Sequence, residues 1–176
     1  MNRRVFLQGL VAAAAAPLVL PEFMNSGAFA MSDDTVQAIP KLDKSKAEWK
    51  KLLPNDAYEV LFEEDTERAF SSPLNKEKRD GTFICAACFL PLFESSAKFD
   101  SGTGWPSFFQ PIAGHTETKR DFKLIFPRTE YHCARCGGHQ GHVFKDGPPP
   151  TGQRWCNNGL ALGFVPEGES LPELRT

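Results

Sequence analysis

The spacing of hydrophobic residues along this 176-residue chain changes twice. Near the start a single apolar run, Val11 to Leu20, sits between Asn2-Arg3-Arg4-Val5-Phe6-Leu7 and Ala28-Phe29-Ala30. Beyond position 42 apolar residues recur at helical spacing. Trp49, Leu52 and Leu53 share one face of a helix that Asp43 would cap and Pro54 would stop. Tyr58, Leu61 and Phe62 share a face of a second helix that Asn55 would cap. From Gly81 onward, short runs rich in Phe, Val, Ile and Thr are broken by Gly and Pro every few residues. That pattern predicts strands at 82–85, 122–126, 129–133, 142–144, 154–156 and 160–165. The expected class is α+β, mainly antiparallel β: a small sheet domain with short N-terminal helices.

These changes divide the chain into an export signal at 1–30, a linker at 31–42, one folded domain at 43–166 and a flexible polar tail at 167–176. The adjacent Arg3 and Arg4 ahead of an alanine-rich apolar segment resemble the twin-arginine signal of bacteria. Ala28-Phe29-Ala30 has the small-x-small form of a cleavage site. The alternative is a retained anchor, but Gln8, Gly9, Pro17 and Pro21 interrupt a stretch shorter than the roughly 20 apolar residues of a span. A periplasmic protein with no stable membrane span is therefore expected. The formal net charge of -2 leaves no basic footprint for phosphate backbones, so nucleic acid is not an expected partner.

Five cysteines are an odd number, and in an oxidising compartment the odd one needs a task. Cys85-Ala86-Ala87-Cys88 and Cys133-Ala134-Arg135-Cys136 are two CxxC turns. Together they can close a tetrahedral four-thiolate shell around one structural Zn(II), whose binding would contribute to folding. Disulfides or a redox-active CxxC are the alternatives. His139 and His142 lie in the glycine-rich run Cys136-Gly137-Gly138-His139-Gln140-Gly141-His142, as reactive groups or as hydrogen-bonded loop histidines. Cys156 has no CxxC partner. Its polar surroundings, with Arg154 two residues away, suggest a stabilised thiolate; an inert buried cysteine is the bland reading.

Several spaced motifs together resemble the B-type methionine sulfoxide reductases, which act on the R epimer at sulfur. They are Gly104-Trp105-Pro106-Ser107-Phe108, Arg128-Thr129-Glu130, Gly138-His139-Gln140-Gly141-His142-Val143-Phe144, Asp146-Gly147-Pro148 and Pro150-Thr151-Gly152-Gln153-Arg154-Trp155-Cys156-Asn157-Asn158. The resemblance spans residues 42–166. It implies a sheet-rich fold with zinc on the two CxxC pairs, away from the active site. It also implies Cys156 as nucleophile, surrounded by His142, His139, Asp146, Arg154 and Asn158, with Trp105 and Phe144 binding substrate. The implied reaction is attack of Cys156 on methionine sulfoxide in oxidised proteins, proton delivery by a histidine, more readily His142, and a sulfenic acid left on Cys156. Many members carry a resolving cysteine where this chain has Thr103, so a thioredoxin-like or other external thiol would restore the enzyme. Asn157, Gly159 and Gln140 also depart from the aliphatic residue, serine and leucine common at those positions. A zinc-ribbon docking module and a zinc-sheet enzyme acting on thiol adducts are the competing readings.

Overall fold

The computed structural model describes residues 39–122 and 127–176. The expected export signal lies outside them, as do residues 31–38 of the expected linker. Helix α1 (Lys46–Leu52) begins at Ser45, not at Asp43. Ser45 and Glu48 form a reciprocal capping box, which satisfies amides that Asp43 is too far upstream to reach. Leu53 is extended because Pro54 follows it, and the helix stops there. Pro54 in turn occupies the cap position of α2 (Asn55–Glu63), so Asn55 is the first helical residue rather than the cap. The second helix buries Ala57, Tyr58, Val60 and Leu61, and Phe62 stacks on Trp49 of α1 with ring centroids 5.1 Å apart.

Nine strands follow: β1 (Gly81–Cys85), β2 (Pro91–Glu94), β3 (Lys98–Phe99), β4 (Ser107–Phe108), β5 (Thr116–Asp121), β6 (Arg128–Cys133), β7 (His139–Phe144), β8 (Arg154–Asn157) and β9 (Leu162–Pro166). They form a three-stranded sheet ordered β2-β1-β9 and a six-stranded sheet ordered β3-β4-β8-β7-β6-β5. Every recorded pairing is antiparallel. The mainly antiparallel α+β architecture is the expected one. Of the expected strand at 122–126, residues 123–126 lie outside the described residues; β5 ends at Asp121.

Aromatic residues join the two sheets. Phe83 and Phe93 from the smaller sheet meet Phe108, Tyr131 and Trp155 from the larger one; Phe93 stacks on Phe108 at 4.1 Å and Tyr131 meets Trp155 edge-on at 4.8 Å. Alternation along β8 then follows from strand geometry, with Trp155 turned into this core and Arg154 and Cys156 turned to the other face. Two segments expected to be loose make specific contacts. Leu42 donates its amide to the Arg135 carbonyl at 2.7 Å, and Ile39 and Leu42 pack on the core. In the tail, Arg175 donates its amide to the Cys88 carbonyl at 3.2 Å and lays its guanidinium 4.5 Å from the centre of the Phe89 ring. No helix among the described residues is long and apolar enough to cross a membrane.

Candidate active site and metal centre

The two CxxC turns are built alike. Each begins at the last residue of a strand, Cys85 of β1 or Cys133 of β6. In each the first cysteine's carbonyl accepts an amide at 2.9 Å, from Phe89 and from Gly137 respectively, and those two residues take the left-handed conformation, at φ 66° and 71°. The first cysteine's own amide bonds one residue further on, to Leu90 at 2.8 Å and to Gly138 at 2.9 Å. The result points four sulfurs at one place. All lie within 4.8 Å of one another, with Cys85–Cys136 at 3.7 Å and Cys88–Cys133 at 3.5 Å. A tetrahedron of sulfurs around a metal at about 2.3 Å has edges of about 3.8 Å, so the donor set fits such an ion. Hydrogen bonds among the sulfurs push Cys85 and Cys136 up and Cys88 down. The cluster can hold a metal ion.

Cys156 lies elsewhere, in the middle of the large sheet. Directly opposite residues in an antiparallel ladder share a face, and Cys156 is opposite Ser107 on β4 and His142 on β7. Two register steps along, on the same face, Phe144 is opposite Arg154, whose guanidinium lies 4.2 Å from the Phe144 ring centre. Of these, His142, Phe144 and Cys156 open onto a cavity of about 130 Å³ whose other lining residues are Thr66, Trp105, Arg128, Gly141, Asn157 and Asn158. Trp105 is fixed by its indole N–H, which donates to the Glu67 carbonyl at 3.1 Å. Close approach of β7 to β8 requires Gly141, because a Cβ there would sit 1.9 Å from the Cys156 carbonyl oxygen.

Burial sets the protonation of the pair. It pushes the Cys156 thiol above its ordinary range, and the opposing pull of Arg154 and a Thr103 hydrogen bond does not cancel it. The polar surroundings and nearby Arg154 that suggest a stabilised thiolate in the sequence are thus outweighed by burial. Burial likewise lowers His142, while its Nε2–H donates to Asp121 Oδ2 at 2.9 Å and so favours the charged form in part. Asp121 also accepts from Arg128 Nη2 at 2.7 Å. Both shifts favour the uncharged forms, a thiol on Cys156 and a neutral imidazole on His142.

With this geometry, the chain matches the SelR domain family over residues 53–166. It is 49% identical over 128 residues to peptide methionine sulfoxide reductase MsrB of Agrobacterium fabrum, covering 72% of this chain and 95% of that one. It is 51% identical over 128 residues to the Pseudomonas putida MsrB, covering 72% and 96%. Against the chloroplastic reductase B1 of Arabidopsis thaliana it is 47% identical over 143 residues, covering 79% and 71%. The chain belongs to the SelR-domain family of B-type methionine sulfoxide reductases. It is an oxidoreductase.

Within this SelR domain the expected site residues part into two groups. His142, Trp105, Phe144, Cys156 and Asn158 converge on the cavity. His139, Arg154 and Asp146 do not line it. His139 is buried, bonds Glu130 through Nδ1 at 2.7 Å and leaves Nε2 without a partner, its ring 5.4 Å from that of His142. Arg154 binds Asp146 through two bonds at 2.9 and 3.0 Å, and the Asp146 side chain is largely exposed. Three residues of the SelR site had no assigned role. Asp121, which Arg128 holds in turn, orients His142, and Glu67 braces the turn that follows β8. The Glu67 carboxylate accepts the amides of Gly159 and Leu160 at 2.5 and 3.2 Å, and burial still raises its pKa. Arg128 and Glu130 were visible only as parts of a motif, and Asp121 and Glu67 carried no sequence signal. The departure at Gly159 has a local cause: a Cβ would lie 2.0 Å from Ser72 Oγ.

Proposed function

We propose that this chain reduces the R epimer of methionine sulfoxide, within oxidised proteins, through the Cys156 thiol. The observation that carries the reading is the register pairing of Cys156 with His142 at the base of a cavity walled by Trp105 and Phe144. An aromatic wall holds an S-methyl group by dispersion and sulfur–aromatic contact. The chemistry follows from the resting proton inventory. His142 Nδ1 takes the Cys156 proton as the sulfur attacks the sulfoxide sulfur, and returns it to the sulfoxide oxygen. A transient S–S bond forms and then breaks as the hydroxyl passes from the methionine sulfur to Cys156, so in the net reaction one S–O bond breaks and one forms. Two electrons pass from the cysteine sulfur to the methionine sulfur, giving thioether and sulfenic acid. Asp121 holds the imidazole by Nε2; Arg154, itself held by Asp146, favours negative charge on Cys156; Asn158 fixes the strand beside it through Gln140 and Glu67.

Recycling needs a thiol from outside. The other four cysteines belong to the cluster, and Thr103 hydrogen-bonds Cys156 but has no sulfur to offer. A thioredoxin-like or other small thiol would form a mixed disulfide with Cys156 and release water. The cluster itself suits Zn(II), since four thiolates make a closed structural shell that polarises no substrate. Residues 1–30 would serve as a twin-arginine export signal, giving a periplasmic enzyme; fractionation of cells expressing the full chain tests this. The deciding assay supplies separated S and R epimers of a methionine sulfoxide peptide with dithiothreitol. Loss of the R epimer alone is expected, and rapid loss of only the S epimer would overturn the reading.

A further inference from the structure

A chain of buried polar side chains connects the cysteine cluster to the strand of Cys156, and the mechanism above makes no use of it. Gln140, Asn157 and Tyr131 are all fully buried. Gln140 Nε2 donates to Cys85 Sγ at 3.6 Å and to the Gly138 carbonyl at 3.4 Å. Its Oε1 accepts from Asn157 Nδ2 at 3.4 Å. The same Nδ2 donates to the Asn158 carbonyl at 2.7 Å, and Asn157 Oδ1 accepts from the Tyr131 hydroxyl at 2.5 Å. Both amide orientations are fixed from outside. The Gly138 and Asn158 carbonyls only accept, so turning either amide over would set oxygen against oxygen. Tyr131 and Asn157 are the register partners of Gly141 on its two sides, and the missing side chain lets the phenol reach across.

An apolar pair of similar size would fill the same space without polar groups to satisfy. Each buried amide left unmatched carries its full desolvation penalty, so two of them linked end to end commit the fold to keeping the whole chain intact. One end touches a sulfur of the cluster. An N–H donor there withdraws charge from a metal-held thiolate and protects it from protonation. The other end belongs to the residue directly after Cys156.

We propose that Gln140 and Asn157 are positioning residues that couple the metal cluster to the strand carrying the reactive thiol. The charge on Cys85 sets the pull on the Gln140 amide, which sets the rotamer of Asn157 and the backbone at Cys156. Disturbance runs both ways along this path. The proposal rests on the four cysteines holding a metal but not on sulfoxide reduction, and its test uses no sulfoxide.

The full chain is loaded with Co(II), and Cys156 is alkylated with iodoacetamide while the metal shields the other thiols. In the native chain the thiolate-to-cobalt absorption shifts on alkylation; in Gln140→Leu/Asn157→Ile it does not. A chelator strips metal from Gln140→Leu about 10-fold faster than from the native chain, the size of effect usual for lost outer-shell partners. If the double variant fails to fold, Gln140→Met keeps the volume, removes the donor and carries the same two measurements. An equal shift in native and variant chains, no shift in the native chain, or a native chain that takes up no metal overturns the proposal.

Discussion

The molecule keeps two kinds of cysteine, and they differ in company rather than in chemistry. Cys85, Cys88, Cys133 and Cys136 have only one another, crowded within 4.8 Å. Among the described residues Cys156 stands apart from the other cysteines; its neighbours are a hydroxyl, an imidazole, a guanidinium and an open cavity. Crowding favours a shared cation and makes those sulfurs part of the scaffold. Isolation beside an imidazole suits the fifth sulfur to the nucleophilic role proposed for it. Sequence spacing decides the first case, because a CxxC turn is local. The second is decided by which strands lie next to β8.

The largest expected effect breaks the first region. Chelation of the metal, or Cys133→Ala, removes binding energy on the order of 10 kcal/mol, and the near-ultraviolet circular dichroism should collapse. Breaking the second leaves the fold alone: Cys156→Ser should lower turnover more than about 10³-fold with the metal content unchanged. Equal loss of metal in both variants would erase the distinction.

Glu130 lies between the regions and tests the electrostatics they share. Burial raises its pKa, but hydrogen bonds from His132 and His139 outweigh that and bring it down to about 2. A depressed carboxylate stabilises the fold above its unfolded pKa, and that contribution disappears as pH falls from about 4.5 towards 2. The loss is about 3 kcal/mol, measured as denaturant midpoints against pH, and Glu130→Gln should abolish this part of the dependence. Asp121→Asn acts on the reactive region alone. Without that carboxylate His142 falls further in pKa, so the acid limb of kcat/KM should move to lower pH and turnover should drop about 10-fold. The smallest effect sharpens the metal turns: Gly137→Ala, at φ 71° with open space around it, should cost about 1 kcal/mol in thermal unfolding.

The four-cysteine cluster, the helices and most core strands were legible because each is encoded by local spacing or periodicity. Strand β5 was not. Thr116, Glu117, Thr118, Lys119, Arg120 and Asp121 alternate no apolar residues, since β5 is an edge strand and its charges blunt that edge. Missing β5 meant missing Asp121 and hence the carboxylate that orients His142. Glu67 was hidden for another reason, being brought to Gly159 and Leu160 from far along the chain by a loop without periodicity. The protonation of Cys156 was misjudged because adjacent residues show Arg154 but not the burial that outweighs it.

Because His142 and Cys156 face each other across one rung of the β7–β8 ladder, no hinge lies between them. Thermal agitation that would spread a pair mounted on two loops must here shear a backbone flanked by strands on both sides. Amide hydrogens along that rung should therefore exchange with solvent among the last in the protein, and the base and the nucleophile should stay aligned until the sheet itself gives way.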